Sequence, residues 1–203
     1  MRTLLIALVL LPAFLHAQSP VDRLANTLDS LATVSFDAWM MSPDLKTARL
    51  EGANPAAPGF DDSRWERLEL GARAYPDSCW LRKQIVLPER IMGNPVQGRI
   101  RILLTLDDYG SLWVNGEPRG KFLWDGSFVV TEEARPGDMF TLAIRAVNTG
   151  GPLRLLRAEL EMESTRDIAR TMKDFALSLR VGQRLLSFDT YQVNAYSGQK
   201  EDP

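Results

Sequence analysis

Two stretches of this chain alternate apolar and polar residues with a period of two. Along 99–106 the even-numbered residues are Ile, Ile, Leu and Leu, and basic or hydroxyl-bearing residues occupy most of the positions between them. Along 156–162 the even-numbered residues are Leu, Ala, Leu and Met, separated by Arg, Glu and Glu. Successive side chains of a strand point to opposite faces, so each stretch predicts a strand with one face buried.

Further short segments rich in β-branched and aromatic residues lie between turns made of Gly, Pro and Asp. The full set of predicted strands is Leu81–Leu87, Arg99–Leu106, Ser111–Asn115, Lys121–Leu123, Phe128–Thr131, Phe140–Asn148 and Leu153–Met162. Residues 52–59 read as a loop. Many short strands without helices between them predict a mainly β protein, an antiparallel β-sandwich.

Helical spacing flanks the predicted sandwich on both sides. Ser19 is placed as an N-cap before Pro20, and apolar residues follow at intervals of three and four as far as Thr33, which predicts a helix that packs its apolar stripe on the sandwich. Ser164 is the predicted cap of a second amphipathic helix. The apolar stripes consist of Val21, Leu24, Leu28 and Leu31 in the first helix and of Ile168, Met172, Phe175 and Leu179 in the second.

The first 17 residues are different in kind. Arg2 precedes an apolar run from Leu4 to Leu15, and Ala17 offers a small residue for cleavage, which is typical of a secretory signal peptide. About 12 apolar residues in a helix rise only about 18 Å, which is short for a membrane anchor. The predicted organisation is therefore a signal peptide at 1–17, a helix at 18–33, a sandwich domain at 34–162, and a helix with a polar tail at 163–203. The expected location is periplasmic or extracellular, with no membrane contact after cleavage.

Composition removes several classes of function. Cleavage after Ala17 would leave 23 basic and 26 acidic residues and no histidine, because His16 is the only one. A near-neutral chain without a basic cluster argues against nucleic acid as a partner. Ser-His and Cys-His catalysis also require a histidine. Cys79 is the only cysteine and is expected to be a buried thiol.

The acidic and turn-forming motifs are interpreted as structural. Asn115-Gly116 fits a two-residue hairpin turn, which needs positive φ at both positions. Asp61-Asp62 and Asp107-Asp108 fit turn chemistry better than a catalytic carboxyl pair, so no catalytic residue is predicted. No cofactor is assigned. Structural calcium is the one candidate, with Asp107, Asp108 or Asp138 as oxygen ligands.

Aromatic residues near the predicted turns suggest where a sugar would bind. Tyr109, Trp124 and Asp125 combine aromatic faces with a polar group, and this combination is common where proteins hold carbohydrates. Trp113 lies inside a short strand, where core packing is the favoured use of an aromatic side chain.

An ordered set of motifs resembles a known domain family. The segments are Phe60–Trp65, Trp80–Lys83, Leu106–Gly110, Trp113–Gly116 and Leu142–Asn148. Together they resemble the galactose-binding-like jelly-roll domain of glycoside hydrolases. The resemblance is closest to the amino-terminal domain of bacterial exported α-mannosidases, through Gly120–Phe122 with Trp124, Pro136–Asp138 and Gly150–Pro152. β-Galactosidase-like and rhamnosidase-like relatives are the nearest competitors.

The resemblance implies an accessory domain beside a catalytic domain that carries the active site. Three hypotheses follow: an accessory sandwich of an α-mannosidase-like hydrolase, a freestanding carbohydrate-binding module, and an exported protein-interaction module. The implied partners are carbohydrate or a catalytic glycosidase domain. If a neighbouring domain or partner is missing, the apolar stripe of the second helix should remain partly exposed.

Overall fold

Antiparallel strands flanked by two helices make up most of the chain. The computed structural model describes the backbone of residues 19–45 and 54–197 and side chains as far as residue 187. The predicted signal peptide, residues 52 and 53 of the predicted loop, and the last six residues of the predicted tail lie outside this part. The strands are β1 (Val34–Ser35), β2 (Ala38–Met41), β3 (Glu66–Glu69), β4 (Ser78–Val86), β5 (Arg90–Ile91), β6 (Asn94–Pro95), β7 (Gly98–Val114), β8 (Glu117–Ala134), β9 (Met139–Val147) and β10 (Arg154–Met162). The helices are α1 (Pro20–Ala32), a 3₁₀ turn (Glu163–Thr165) and α2 (Arg166–Ser197).

One long hairpin organises the sheet. β7 and β8 have 17 and 18 residues, and they are joined by Asn115 and Gly116 with φ angles of 51° and 85°. The prediction of separate strands at 99–106 and 111–115, and at 121–123 and 128–131, was therefore wrong. Each pair is a single strand that continues through a bend, because residues between the two segments keep their pairing with the opposite strand.

The bend transfers β7 from one layer of the sandwich to the other. β7 pairs with β10 as far as Asp107 and with β9 from Tyr109 onward. Leu106 pairs with Trp124 and Tyr109 pairs with Leu123, and these two partners are consecutive on β8. Asp107 and Asp108 are therefore two extra residues in β7 at the bend, which we call the corner. Such insertions bend a strand and increase its twist.

The two layers enclose one apolar core. The first layer contains β1, β10 and the initial part of β7, and the second contains β3, β2, β4, β9 and the final part of β7, while β8 follows β7 through both. Ile100, Ile102, Leu104 and Leu106 are at most 1% exposed, in agreement with the alternation along 99–106. The structure is an antiparallel β-sandwich of the jelly-roll class with two flanking helices.

The alternation in β10 changes phase at one point. A bulge lies between Leu155 and Arg157, so Leu156 has no partner on β7. Leu155 is buried, whereas Leu156 is only half-buried. The prediction placed Leu156 on the buried face and was wrong there, because the extra residue shifts the period by one position.

Helix α1 lies against α2 and not on the sandwich. Ser19 caps α1 by accepting a hydrogen bond from the Asp22 amide at 3.0 Å. Ser19 at the start of α1 contacts Gln183, and Asp29 near its end forms an ion pair with Arg180. The two helices are therefore antiparallel neighbours. The predicted packing on the sandwich was wrong. The buried residues of α1 are small alanines, which allow a close approach to α2, and not the leucine stripe.

The start of the second helix also differs from its prediction. Ser164 lies within the 3₁₀ turn, and the Thr165 hydroxyl donates to the Met162 carbonyl. Ser164 is therefore not the cap. Lys173 on α2 donates to Glu159 on β10 at 2.6 Å and ties the helix to the first layer. Among the described helices, none is both long enough and apolar enough to cross a membrane.

Candidate functional site

The acidic pair at the corner has a structural role. Asp108 accepts hydrogen bonds from the amide of Thr149, at 2.8 Å, and from its hydroxyl. These bonds lower the pKa of Asp108. The pKa of Asp107 is raised, first by its hydrogen bond with Asp108 and then by partial burial and by the neighbouring negative charge. The pair thus links the bend in β7 to the loop before β10.

The other acidic pair holds a surface segment in place. Asp61 accepts a hydrogen bond from the Ser63 amide at 3.0 Å, which lowers the pKa of Asp61. Asp62 forms an ion pair with Arg82 at 3.3 Å. Asp61 acts within its own loop, whereas Asp62 connects that loop to Arg82 on β4.

The calcium candidates lie at two distant places. Asp138 accepts a hydrogen bond from the Arg135 amide at 2.9 Å in the turn before β9. Asp107 and Asp108 lie near the other end of β9, whose nine residues extend about 30 Å at about 3.4 Å each. One ion therefore cannot contact both groups. Within the described residues, no cluster of three or more His, Cys, Asp or Glu side chains could hold a metal.

The predicted sugar-contacting residues are divided by the corner. Tyr109 and Trp124 are 46% and 44% exposed, and Trp124 has a φ of 64°. Asp125 accepts a hydrogen bond from Thr105, its partner on the first layer. Tyr109 instead belongs to the second layer, so the three residues do not share one face of the sandwich. Their contact with sugar stays a prediction.

The outward face of the second layer contains a cleft of about 280 Å³, which we call the outer cleft. Its lining residues are Tyr109, Gly110, Ser111, Lys121, Phe122, Arg145 and Val147. Ser111 is paired with Lys121 on one side and with Arg145 on the other. This register places a hydroxyl between two exposed cations.

Sequence reasoning found only Tyr109 of this cleft. Ser111 and Lys121 lie on the two arms of the β7–β8 hairpin and Arg145 lies on β9, and the pairing register brings the three residues into one row. The available signal was the outward position of each residue within its own strand. Without the register, that signal does not show which outward residues become neighbours.

A buried arginine secures the segment that covers the rest of this face. The Arg82 side chain is 1% exposed and donates to the carbonyls of Pro55, Ala57 and Pro58 at 3.1, 2.8 and 2.9 Å. Its guanidinium also lies 5.8 Å from the centre of the Phe60 ring. Burial lowers the pKa of Arg82, while the Asp62 charge acts in the opposite direction.

Aromatic side chains connect this covered area to the outer cleft. Phe60 and Trp65 form a small buried cluster, against which Trp80 packs. The ring of Trp80 lies 5.0 Å from that of Trp113. Trp113 is half-buried, which agrees with its predicted packing role, and it precedes the hairpin turn. The rings of each pair, Phe60 with Trp65 and Trp80 with Trp113, are tilted by 53° and 55°, and such contacts stabilise the outward side of the sheet.

The helices present a second exposed surface, which we call the helical apolar face. It consists of Leu24, Leu31, Ile168 and Phe175, which are 48%, 53%, 58% and 54% exposed. Each of these four residues immediately precedes a buried alanine. Consecutive residues of a helix are rotated by about 100°, so all four side chains point about 100° away from the direction of the buried alanines. Because the two helices are antiparallel, this same rotation turns the side chains of both helices toward the same side of the pair. The four side chains therefore lie on the same side of the helix pair.

The described residues include a buried thiol and a cleft lined by cations. The single cysteine, Cys79, is fully buried, and burial raises the pKa of its thiol to about 12. The lining of the outer cleft contains cations, a hydroxyl, a phenol and apolar groups. Groups of these kinds recognise ligands in proteins through charge, hydrogen bonds and ring contact.

No protein-family model and no curated protein matches the sequence. Solved structures with a similar fold include a glycosyl hydrolase family 2 member from Bacteroides cellulosilyticus DSM 14838, with 16% identity over 64% of this chain and a TM-score of 0.48. A β-glucuronidase from Bacteroides uniformis has 20% identity over 63% of this chain and a TM-score of 0.46. A β-glucuronidase from Ruminococcus gnavus has 13% identity over 57% and a TM-score of 0.45. The matched part covers only 20%, 17% and 21% of those chains.

Proposed function

We propose that this chain is a non-catalytic accessory domain of an exported glycoside hydrolase. The ordered motifs along 60–148 and the jelly-roll fold support this proposal. Export rests on the signal-like residues 1–17. The acidic pairs support a non-catalytic role, because Asp62 and Asp108 are engaged by Arg82 and Thr149 in holding loops.

The helical apolar face is the observation that carries the proposal. Four large apolar side chains on one side of a helix pair form an exposed patch of the kind found at interfaces. We assign the catalytic domain of the same enzyme as its occupant. Two of its four residues, Ile168 and Phe175, lie on α2, which follows the last strand of the sandwich after the 3₁₀ turn.

The length of α2 supports the same assignment. Gln183 contacts Ser19 at the first turn of α1, yet α2 continues to Ser197, about 21 Å further at 1.5 Å per residue. Leu185 on this extension is 62% exposed. A helical segment of this length gains little stability from its own backbone in water, and contact with a further domain is the role we assign to the extension.

Within this class, the finer proposal is an α-mannosidase-like parent enzyme. It rests on the sequence resemblance alone. Assays of the longer gene product with aryl α-mannosides, β-glucuronides and β-galactosides would test it. Preferential hydrolysis of the mannoside is expected, and preference for another glycoside would overturn the finer proposal while leaving the accessory role intact.

The docking test compares two substitutions on one helix. Phe175 and Leu177 are 54% and 59% exposed, and two residues along a helix place them about 200° apart. Phe175→Asp should weaken association with the catalytic polypeptide encoded in frame with this chain at least tenfold in calorimetry, because a charge would be buried at the interface. Leu177→Asp adds the same charge on the opposite side and should change the affinity less than threefold.

The test also separates the alternatives. Equal effects of both substitutions would contradict docking through the helical apolar face. A gene without an in-frame catalytic region would favour a freestanding carbohydrate-binding module, which the outer cleft supports. Binding of an unrelated protein through Phe175 would favour an interaction module.

A further inference from the structure

Two exposed cations face the same point on the outer cleft. Lys121 on β8 and Arg145 on β9 are both direct partners of Ser111 on β7. Neighbouring strands are about 4.8 Å apart, so the two cationic residues are separated by about 10 Å across the row. Both side chains are long enough to reach the space above Ser111.

Neither cation is neutralised within the described part of the chain. Lys121 and Arg145 make no ion pair and no side-chain hydrogen bond there, in contrast to Arg99 and Arg157, which pair with glutamates. The lining of the cleft contains no carboxylate. The cleft therefore has a concentrated positive charge, although the chain as a whole has a formal charge of −2.

An aromatic ring lies one row away from the cations. Tyr109 is two residues from Ser111 along β7, so both side chains point outward, and Tyr109 is 46% exposed. Val147 is its partner on β9 and adds an apolar floor. A sugar ring has apolar C–H faces and hydroxyl edges, and these match an aromatic ring beside a serine hydroxyl.

We propose that the outer cleft binds an acidic sugar, with its carboxylate between Lys121 and Arg145 and its ring against Tyr109. This inference rests on the proposed function, because it names the ligand class of the accessory domain. A uronic acid fits the charge better than a neutral sugar, since a guanidinium can bind a carboxylate through two hydrogen bonds. At about 280 Å³ the cleft is at the small end of ligand sites and suits one sugar unit of a longer chain.

The test is an NMR titration of the ¹⁵N-labelled chain. The probes are trigalacturonate and triglucuronate, with mannotriose and galactotriose as neutral counterparts and inorganic sulfate at matched ionic strength. Acidic trisaccharides should shift the amides of residues 109–111 and 145 at millimolar concentration. Neutral trisaccharides should require at least tenfold more ligand, and sulfate should not reproduce the shifts at Tyr109.

Matched variants assign the effect to the cleft. Lys121→Met and Arg145→Met should each weaken binding about threefold, and the double variant about tenfold, because these cations are exposed. Arg135→Met removes the same charge from the distant turn before β9 and should leave the affinity unchanged. Tyr109→Ala should weaken binding of trigalacturonate without creating a preference for neutral sugars.

Each outcome decides one question. Equal binding of neutral and acidic sugars would overturn the charge-based inference while supporting sugar binding by an accessory domain. Sulfate shifts equal to those of trigalacturonate would show general anion binding and overturn it. Absence of all shifts would also overturn it, and the docking test with Phe175→Asp would still decide the accessory role separately.

Discussion

Replacing Arg82 tests how the segment over the second layer is held. The Arg82 side chain is 1% exposed and makes hydrogen bonds to three carbonyls and an ion pair with Asp62. A hydrogen bond to a charged group contributes about 1.5–3 kcal/mol. The three carbonyls belong to one segment, however, and without Arg82 that segment can shift so that all three carbonyls bond to water instead. We therefore expect Arg82→Leu to lower the free energy of unfolding by about 3 kcal/mol, well below the sum of the separate bonds.

The matched variant isolates the carbonyl contacts from the ion pair. Asp62 is 28% exposed and its contact with Arg82 is 3.3 Å long, so Asp62→Asn should cost about 1 kcal/mol or less. Arg82→Lys keeps the positive charge but loses the planar fork of donors, and it should recover less than half of the loss. Urea unfolding followed by tryptophan fluorescence, with m-values compared across the variants, measures all three.

The ranking of these variants is what the reasoning requires. A loss below about 1 kcal/mol for Arg82→Leu would refute the claim that the carbonyl bonds stabilise the segment. Equal losses for Arg82→Leu and Asp62→Asn would show that the ion pair dominates. Restoration of wild-type stability by Arg82→Lys would show that charge alone is sufficient.

Three further predictions concern other parts of the fold. A Cβ at Gly110 would lie 2.3 Å from the Phe122 ring, so Gly110→Ala should lower the free energy of unfolding by about 1–3 kcal/mol in thermal or urea unfolding. Gly59→Ala is the control and should be near neutral, because a Cβ there meets no atom within 4 Å. Cys79 should react with a thiol reagent only at the rate of unfolding, because it is buried with a pKa raised to about 12, and rapid labelling of the native chain would contradict this. Burial acts to raise the pKa of Glu159, but the contacts with Lys173 and Arg157 outweigh burial, and the net shift is downward from 4.5. The stabilisation of the fold by the Glu159 carboxylate is therefore present above about pH 4.5 and is lost as the pH falls through the folded-state pKa. Glu159→Gln should therefore destabilise the chain more at pH 7 than at pH 3, and an equal loss at both values would contradict the ion-pair explanation.

The fold class was accessible from sequence because period-two alternation reports directly on a buried strand face. The alternation along 99–106 corresponds to fully buried side chains on β7. The bend at Asp107 and Asp108 could not be predicted from the sequence, because acidic residues at such a bend have the composition of a turn. A turn at that point makes one continuous strand look like two separate strands. The bulge at Leu156 was missed for a related reason, since an extra residue leaves no compositional mark.

The sites show the same limit. Turn residues act locally, so Asn115 and Gly116 could be placed from their own conformational preferences. The outer cleft depends on the register that brings Lys121, Ser111 and Arg145 into one row. The predicted apolar stripe of α1 is divided in the structure: Leu24 and Leu31 are exposed, Val21 and Leu28 are half-buried, and the buried positions are Ala25 and Ala32.

The most direct test of the account compares glycoside turnover by the purified chain with turnover by the full reading frame that contains it. Aryl α-mannosides, β-glucuronides and β-galactosides are the substrates. The account predicts no detectable turnover by the chain alone and turnover of one substrate class by the longer product. Turnover by the chain that persists through repeated purification would contradict a binding and scaffolding role.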